Sequence, residues 1–485
     1  MQTIQNYING ELVAPINQNY LDNYEPATGE IYSQLPESDT DDLELAVKAA
    51  SNAQNEWANM PAEQRSIVLM KLADAIENAS EELAKAEAID NGKPIAFARA
   101  VDSYRSAANI RFFANACTQF ASESHDMGPV GINYTLRQPI GIVGCISPWN
   151  LPLYLFTWKI APALASGNVV IAKPSEITPM TAYIFSKLCI EAGIPAGVIN
   201  ILHGTGQSIG APLVEHKKVK AISFTGGSAT GRAIASKIAP MLKKYSLELG
   251  GKNPTLVFAD ACDTPEAMKS TVSEVARSAF SNQGQICLCG SRIYVERAIY
   301  QEFKNALVEK IAKLKIGDPL DEETQHGALV SKAHLDKVNS YIELATQEGG
   351  KIILGGEKVT VEGRCQQGYF LQPTIIEGLT ADCRVNQEEI FGPVCTIQPF
   401  DSDEEVLAYA NGTEYGLAAS VWSSNVSRCH RLASELDFGI VWINSWLLRD
   451  LRTPFGGMKS SGVGREGGLE AMRFFTEPKN VCIKY

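Results

Sequence analysis

The sequence predicts an α/β fold in which short buried strands alternate with helices. Between residues 128 and 201, apolar runs such as GIVGCI and GNVVIAKP alternate with helical stretches such as MTAYIFSKLCIEAG. From about 251 to 450, the runs NPTLVF, SRIYV and PVCTIQPF occur with helical segments such as IYQEFKNALVEKIAKL. This alternation favours parallel sheets with crossover helices. We therefore expect two α/β domains, with a ligand site between them.

Other segments differ in pattern from these two regions. NYINGEL, near the N-terminus, places the turn-forming pair Asn9-Gly10 between strand-type residues and predicts a short hairpin. From Asp41 to about Asn115, Ala, Leu and Glu recur at helical spacing, with few Gly or Pro. The ending EPKNVCIKY predicts a strand that adds to the edge of a neighbouring sheet.

Length, composition and charge exclude several classes of protein. The 485 residues exceed the size at which a single hydrophobic core stops growing, so two to three domains are expected. With 45% hydrophobic and 20% charged residues, the chain is neither disordered nor fibrous. The net charge of −12 argues against nonspecific binding to nucleic acid or to an anionic membrane. We expect neither a membrane span nor a secretory signal.

The eleven cysteines are too sparse for a disulfide scaffold, and their odd number and scattered spacing fit poorly with pairing. We expect reduced thiols in a cytoplasmic protein, most of them packed as small buried side chains. Cys289 follows Cys287 by two residues, but no further ligands flank the pair, so no metal site is predicted.

Several short segments carry residue types that are suited to chemistry. Each alone has an ordinary explanation, since a Gly-Gly pair can mark a turn and a cysteine is usually a core thiol. The segments are SPWN at 147–150, AKPSE at 172–176, LELGGKNP at 247–254, FSNQGQICLCGSR at 280–292, EEIFGPV at 388–394 and PFGGMKSSGVGREGG at 454–468. Together, in this order and over nearly the whole chain, they resemble the aldehyde dehydrogenase superfamily.

That resemblance implies the domain organisation of the family. It predicts a Rossmann-type NAD-binding domain from residues 1–120 and 140–250. It also predicts an α/β catalytic domain at 251–450 and a small β oligomerisation arm from 121–139 and 465–485. Through this arm, the chain is expected to form a homodimer or homotetramer.

The resemblance also assigns three catalytic roles. Cys287 matches the nucleophile, whose thiolate turns the aldehyde carbonyl into a tetrahedral adduct able to expel hydride. Glu248 matches the general base that activates the water for hydrolysis of the resulting thioester. Asn150 matches the residue whose amide stabilises the oxyanion, together with the backbone N–H of Cys287. None of the six histidines lies inside these motifs, which weighs against a Cys-His hydrolase.

The cofactor implied by the resemblance is NAD. FTGGSATG at 224–231 presents the N-terminus of a helix to the pyrophosphate, and Gly227 replaces the commoner serine of the family. Lys173 and Glu176 match residues that hold the adenosine ribose, where a carboxylate accepts bonds from the hydroxyls and repels the 2′-phosphate of NADP⁺. Glu389 and Phe391 match contacts of the nicotinamide ribose. The predicted cofactor set is Ile146, Ser147, Pro148, Trp149, Lys173, Ser175, Glu176, Gly206, Gly210, Phe224, Thr225, Gly226, Gly227, Thr230, Leu249, Glu389 and Phe391.

Two arginine-containing segments bear on the substrate. DSYRSAANIRFF contains Arg105, and WLLRDLRTPFGG contains Arg449 and Arg452. Both segments resemble those of the family members that oxidise 2-hydroxymuconic or 2-aminomuconic semialdehyde. In that subgroup, arginines matching Arg105 and Arg449 hold the carboxylate at the far end of the substrate, beyond the aldehyde that faces Asn150. Guanidinium groups suit this task because they bind carboxylates bidentately, although ordinary surface salt bridges are the alternative.

We therefore expect an anionic semialdehyde from aromatic ring cleavage as the substrate. RDLRTPFGG and NVCIKY favour the hydroxymuconic compound. The aminomuconic compound stays open, because a hydroxyl and an amino group differ little in size. Betaine aldehyde or an aliphatic aldehyde is a second possibility, although arginines oppose a cationic substrate. A catalytically silent structural protein is a third, opposed by the intact Cys287, Glu248 and Asn150.

Overall fold

Two large sheets organise the chain. The computed structural model describes residues 2–485. Its strands are β1 (Gln2–Thr3), β2 (Asn6–Ile8), β3 (Glu11–Val13), β4 (Tyr20–Glu25), β5 (Glu30–Pro36), β6 (Ser124–Asp126), β7 (Gly131–Pro139), β8 (Ile142–Ile146), β9 (Val169–Lys173), β10 (Ile199–Ile201), β11 (Val219–Thr225), β12 (Lys244–Glu248), β13 (Pro254–Val257), β14 (Arg292–Glu296), β15 (Lys351–Leu354), β16 (Lys358–Val359), β17 (Phe370–Leu371), β18 (Thr374–Glu377), β19 (Val394–Phe400), β20 (Tyr415–Gly416), β21 (Ala418–Trp422), β22 (Ile440–Ile443), β23 (Met458–Lys459), β24 (Gly462–Val463) and β25 (Thr476–Lys484).

Helices cover both sheets and supply several of the predicted functional residues. They are α1 (Thr40–Asn59), α2 (Ala62–Asn78), α3 (Ser80–Asn91), α4 (Ile95–Phe97), α5 (Tyr104–Ala116), α6 (Pro152–Ala165), α7 (Met180–Glu191), α8 (Ala211–Glu215), α9 (Ser228–Ile238), α10 (Pro265–Phe280), α11 (Tyr300–Ala312), α12 (Lys332–Gln347), α13 (Arg384–Gln387), α14 (Asp403–Asn411), α15 (Val426–Glu435) and α16 (Gly468–Phe474). Within residues 2–485, no helix is both long enough and apolar enough to span a membrane.

The first sheet has eight strands in the order β24-β12-β11-β8-β9-β10-β2-β3. Its five central strands, from β12 to β10, are parallel, and the pairs at both edges are antiparallel. Strands β8 and β9 are buried along their whole length. Runs such as IVGCI and VVIAK therefore lack polar alternation, as expected for parallel strands covered on both faces.

The second sheet has seven strands in the order β15-β18-β19-β14-β13-β21-β22. It is parallel throughout except for β15 at one edge. The apolar runs of the sequence form its centre as β13, β14 and β19. The prediction of two α/β units is therefore confirmed, and so is the helical region that begins near residue 41, which forms α1 to α5.

The two ends of the chain contain the predicted hairpin, at the edge of the first sheet, and a separate three-stranded sheet. The predicted hairpin is present, because β2 and β3 are antiparallel and Asn9 and Gly10 both have positive φ, as a two-residue type I′ turn requires. The predicted C-terminal strand, β25, pairs with β7 of the same chain over nine residues, and β7 also pairs with β6. The pairing begins at Thr476 rather than at 465, because α16 buries Ala471 and Met472 in the core of the first sheet.

The π-helical turn Ala98–Ser103 leads directly into α5. This turn places Asp102 inside the protein, while Arg105, three residues later, starts the face of α5 that meets α6. Single π-turns inside helices often occur at functional sites because the extra residue per turn changes which side chains face the interior.

The side chain of Asn168 connects three parts of the first unit. It accepts a hydrogen bond from Gly141 N at 2.9 Å and donates to the carbonyls of Ala163 and Phe475. We predict that Asn168→Ala lowers the free energy of unfolding by about 3 kcal/mol, because three hydrogen bonds are lost and the buried N–H of Gly141 and carbonyl of Phe475 lose their partner. Calorimetry should show a lower Tm, whereas Asn59→Ala, which removes an exposed bond within α1, should leave Tm unchanged. Equal Tm values for both variants would contradict this role of Asn168.

Candidate active site

The carboxyl ends of four parallel strands meet at one edge of the first sheet. The register pairs Ile146 of β8 with Lys173 of β9, and Thr225 of β11 with Glu248 of β12. The motifs SPWN, AKPSE, FTGG and LELGG lie at the ends of these four strands and are therefore neighbours. In open α/β sheets, ligands bind at this edge.

The second sheet presents the starts of its strands to the same cleft. The segments that precede β13, β14 and β19 are 250–253, 287–291 and 389–392. They are fixed to each other by hydrogen bonds. Gly251 N donates to the Glu389 carboxylate at 2.9 Å, and the Asn253 side chain donates to the Cys287 carbonyl at 2.7 Å. The cleft therefore combines strand ends of one sheet with strand starts of the other.

A cavity of about 530 Å³ opens at the edge of the first sheet, within the size range of cofactor sites. Of the seventeen predicted cofactor residues, fourteen line it: Ile146, Ser147, Pro148, Trp149, Lys173, Ser175, Glu176, Gly206, Gly210, Phe224, Thr225, Gly226, Gly227 and Thr230. The remaining three, Leu249, Glu389 and Phe391, line an adjoining cavity of about 230 Å³ that shares Pro148, Trp149 and Thr225 to Gly227 with the first.

The larger cavity has the features that NAD requires. A Cβ atom added at Gly206 or Gly227 would meet nothing within 4 Å, so the backbone there is open to close approach by a ligand. Gly227 precedes α9, whose first N–H groups have no side-chain cap and are free to bind phosphate. The Lys173 ammonium lies 3.0 Å from a Glu176 carboxylate oxygen, so two oppositely charged groups that can bind ribose hydroxyls lie together.

Some lining residues were missed by the sequence-based prediction. In the larger cavity they include Val214 of α8 and Ile234 of α9. Apolar residues of short helices resemble ordinary core positions, so the sequence gives no signal for them. His334 and Lys337 of α12 line the smaller cavity. Their spacing of three residues places both on one face of the helix, which is a signal that could have identified them.

Cys287 lies in the smaller cavity together with Asn150, as predicted for a nucleophile and its oxyanion donor. Burial raises the pKa of the Cys287 thiol well above its usual value, and the Glu389 and Glu248 carboxylates raise it further, whereas Arg449 opposes them. The thiol is therefore protonated at neutral pH when the cleft holds no ligand. Any positive charge placed in the cleft favours the thiolate.

The loop that precedes Cys287 has an unusual backbone. Asn282, Gln283 and Gly284 all have positive φ, between 51° and 69°. A Cβ at Gly284 would lie 2.1 Å from the carbonyl oxygen of Gly392, so only glycine fits there. Asn282 and Gln283 carry a Cβ atom and also lie in the left-handed region, so their backbone is strained. Such strain is common at functional sites.

Asn150 has one amide hydrogen available for a ligand. Its Nδ2 donates to the Gln285 carbonyl at 2.9 Å, which uses one of the two amide hydrogens. Within residues 2–485, the backbone N–H of Cys287 has no acceptor. Two unused donors therefore belong to residues that line the same small cavity, as an oxyanion site needs.

Glu248 is buried at the end of β12, and within the described chain neither of its carboxyl oxygens has a hydrogen-bond partner. Burial raises the pKa of Glu248 well above its usual range, and Glu466 raises it further, while Lys159, Arg465 and Arg449 lower it. A buried carboxyl without partners is costly for the fold. It is also the form of carboxyl group that can take a proton near neutral pH.

Arg105 and Arg449 converge on one side chain, Tyr154 of α6. Arg449 donates to the Tyr154 hydroxyl at 2.7 Å, and the Arg105 guanidinium lies 5.5 Å from the centre of the Tyr154 ring. Arg449 also packs between the rings of Trp158 and Phe455, at 4.3 and 4.0 Å. In residues 2–485 neither arginine has a carboxylate within 4.0 Å, and Nη2 of each is buried without a partner. Aromatic side chains thus hold both arginines in place, and each arginine keeps a hydrogen-bond donor without an acceptor.

Comparison with known proteins decides the family. The sequence model of the aldehyde dehydrogenase family matches residues 13–481. The chain belongs to the aldehyde dehydrogenase family. It is 51% identical to 2-aminomuconic semialdehyde dehydrogenase of Mus musculus, over 99% of this chain and 98% of that one. It is 44% identical to 2-hydroxymuconic semialdehyde dehydrogenase of Pseudomonas sp. (strain CF600), over the full length of both.

Solved structures agree with this aldehyde dehydrogenase in fold. The NAD⁺ complex of an aldehyde dehydrogenase from Bacillus cereus superimposes with a TM-score of 0.95 at 40% identity, over 99% of this chain and 96% of that one. The aldehyde dehydrogenase fold predicted from the motifs is therefore confirmed. The predicted enzyme class, an NAD-dependent oxidoreductase acting on aldehydes, is confirmed as well.

The raised pKa of the Cys287 thiol can be measured by alkylation. We predict that iodoacetamide labels Cys287 slowly at pH 7 and faster as the pH rises, with the extent followed by mass spectrometry of its peptide. Glu389→Gln removes a carboxylate that disfavours the thiolate, so the midpoint should move to lower pH. The exposed Cys482 should label identically in both proteins and serves as the internal control. A shift to higher pH in Glu389→Gln would contradict this electrostatic explanation.

Proposed function

We propose that this enzyme oxidises a muconic semialdehyde, an aldehyde with a carboxylate at its far end, to the corresponding acid. The arrangement of Arg105 and Arg449 carries the proposal. Two half-buried arginines, each with a buried Nη2 that has no partner and both placed around Tyr154, suit a carboxylate better than ordinary surface ion pairs do. Arg452 provides the contrast, because it is exposed and paired with Asp450.

The first chemical step that we propose is addition. The Cys287 sulfur forms a bond to the aldehyde carbon, and the π electrons of the carbonyl move to its oxygen. The thiol proton leaves towards Glu248 or water, since the thiolate is the attacking form. The oxyanion accepts hydrogen bonds from the Asn150 amide and from the Cys287 backbone N–H, each worth roughly 3 kcal/mol in comparable sites.

The second step converts the adduct to a thioester. NAD⁺, when bound, would supply the hydride acceptor, and the adduct gives up its hydride as the oxyanion re-forms its carbonyl. We propose that Lys173 and Glu176 would hold its adenosine ribose, the N-terminus of α9 its pyrophosphate, and Glu389 its nicotinamide ribose. All of these groups line the two adjoining cavities, the smaller of which also contains Cys287.

Hydrolysis then releases the acid. Glu248 takes a proton from a water molecule, whose oxygen adds to the thioester carbon and displaces the Cys287 sulfur. The buried carboxyl suits this role because its raised pKa allows it to accept a proton near neutral pH. The sulfur leaves as a thiolate and the product as a carboxylate.

The substituent at carbon 2 is a hydroxyl or an amino group. Relatives that bear either name match over the whole chain, and the higher identity belongs to the one named for the amino compound. The ratio of kcat/KM for the two compounds decides between them. The alternatives, betaine aldehyde and simple aliphatic aldehydes, lack the carboxylate that Arg105 and Arg449 would bind.

We also propose that the enzyme is a cytoplasmic homodimer or homotetramer. All eleven cysteines are free thiols in the structure, which suits a reducing compartment. The arm strands β7 and β25 leave Leu136, Ile483 and Tyr485 exposed, and a partner subunit would cover them. The domain boundaries at residues 120, 140, 250 and 450 are part of the same proposal, because each lies outside the strands of the two large sheets.

We predict that Cys287→Ala abolishes NADH formation while NAD⁺ still binds, because the substitution leaves the larger cavity untouched. Stopped-flow absorbance measures the NADH that forms. Near-normal turnover by Cys287→Ala would refute the assignment of the nucleophile.

We predict that Glu248→Gln changes the pH dependence of turnover, because Glu248 acts in hydrolysis of the thioester. In the wild type, kcat should rise with pH as Glu248 ionises, and in Glu248→Gln this rise should be absent because the amide does not titrate. Stopped-flow absorbance at several pH values measures the difference.

We predict that Arg449→Met lowers kcat/KM for a muconic semialdehyde by about 100-fold, since it removes a charge-assisted bond to the carboxylate. For propanal, which has no carboxylate, the loss should be about tenfold smaller or less, because only the effect of Arg449 on the pKa values of Cys287 and Glu248 is removed. Arg452→Met is the matched control, because it removes an arginine of the same segment that is paired on the surface. Equal losses for both aldehydes would contradict the carboxylate site.

A further inference from the structure

A buried lysine lies behind the proposed oxyanion site. Lys93 follows α3 and is completely buried. Its ammonium makes three bonds: to Glu87 Oε1 at 3.1 Å, to Asp102 Oδ2 at 3.0 Å and to the backbone carbonyl of Asn150 at 3.1 Å. An ammonium has three hydrogens, so each bond uses one of them. None of these bonds reaches the cavity surface, and the chemistry described above does not use Lys93.

The three ionisable side chains of this cluster are all buried. Lys93 is paired with both carboxyl groups, and within residues 2–485 the remaining oxygens, Glu87 Oε2 and Asp102 Oδ1, have no partner. Burial raises the pKa values of Glu87 and Asp102, that of Glu87 well above its usual range, and the Lys93 ammonium lowers both. A buried ion pair of this kind adds little net stability, so its position needs another explanation.

Asn150 is the residue that this cluster fixes. Its carbonyl accepts from Lys93 on one side and from Asn282 Nδ2, at 3.0 Å, on the other. Its own side chain donates to Gln285. Asn282 and Gln285 belong to the strained loop that leads to Cys287. The Asn150 backbone therefore joins the Lys93 cluster to the nucleophile loop.

The same cluster reaches the carboxylate site. Asp102 lies in the π-helical turn and Arg105 follows it three residues later at the start of α5. Lys93 thus holds two elements at once. One carries the donor for the aldehyde oxygen, and the other carries an arginine for the opposite end of the substrate.

We propose that Lys93 is a positioning residue that acts through Asn150. This positioning role rests on the proposed function, in which Asn150 stabilises the oxyanion. Lys93 fixes the carbonyl of Asn150, and thereby the direction of its amide. Displacements of about 1 Å at a catalytic group can cost about 100-fold in rate, so the loss of this single bond is measurable.

The test is a double-mutant cycle of Lys93→Met and Asn150→Ala, with kcat and KM measured on a muconic semialdehyde and on propanal. Lys93→Met should lower kcat by about 10- to 100-fold on both aldehydes, because an oxyanion donor serves every aldehyde. In the Asn150→Ala background, the same substitution should change kcat by less than about twofold, since the residue through which it acts is gone. Equal losses in both backgrounds would overturn the proposal.

Two further variants separate positioning from stability. Lys93→Met/Asp102→Asn removes the cation together with one of its two carboxyl partners, so less uncompensated charge stays buried than in Lys93→Met, and it should show the same loss of kcat. Asp90→Ala, in α3, removes the bonds that Tyr32, Asn23 and Met180 N donate to the Asp90 carboxylate. It should lower Tm without changing kcat. If both Lys93 variants failed to fold and bind NAD⁺, Lys93 would serve the fold alone, and the proposal would be overturned.

The proposed function fails on a different observation. If Asn150→Ala alone keeps wild-type kcat, Asn150 is not the oxyanion donor, and the mechanism is wrong whatever Lys93 does. If Asn150→Ala is slow but Lys93→Met is as fast as the wild type, the mechanism stands and only the positioning role of Lys93 is rejected.

Discussion

The hydrogen bonds of Asn150 across the cleft are the contacts on which the site depends. Asn150 follows β8 of the first sheet, whereas Gln285 and Asn282 precede β14 of the second. The cofactor cavity belongs to the first of these units and the nucleophile to the second. Their relative placement is fixed locally by a few short bonds between buried groups, which tolerate little displacement. Backbone strain at Asn282 and Gln283 accompanies the hydrogen bonds that this loop makes with Asn150.

Three acidic groups lie around the nucleophile. Burial raises the pKa values of Cys287, Glu248 and Glu389 together, and Arg449 is the cation that opposes the shift at both Cys287 and Glu248. Negative charges in one site disfavour one another, so the ligand-free cleft favours the protonated forms of these groups. A positively charged nicotinamide ring would shift that balance towards the thiolate. Activation of the sulfur would then follow cofactor binding, which protects the thiol from oxidation in the free enzyme.

The sequence was sufficient for the residues that carry a motif. Strand ends place SPWN, AKPSE, FTGG and LELGG together, so the cofactor residues that the family resemblance assigns to these motifs line one cavity. Arg449 and Arg452 show the limit. They lie three residues apart with the same chemistry, yet one is held between aromatic rings and the other pairs with Asp450 on the surface. Only tertiary contacts separate them. Lys93 and Tyr154 were missed for the same reason, because a lysine after a helix and a tyrosine within an apolar helix look ordinary.

The proposed carboxylate site is defined by hydrogen-bond donors that have no partner in the protein. Nη2 of Arg105 and of Arg449 is buried without a partner. A substrate that brings a carboxylate satisfies both groups, whereas a neutral aldehyde of similar length leaves them unpaired and also displaces whatever water hydrates them. Sites built to hydrogen-bond a substrate group reject analogues that lack it far more strongly than apolar pockets do. A cationic aldehyde meets direct repulsion as well. If the two guanidinium groups bind the substrate carboxylate as proposed, they also discriminate against betaine aldehyde without a steric barrier.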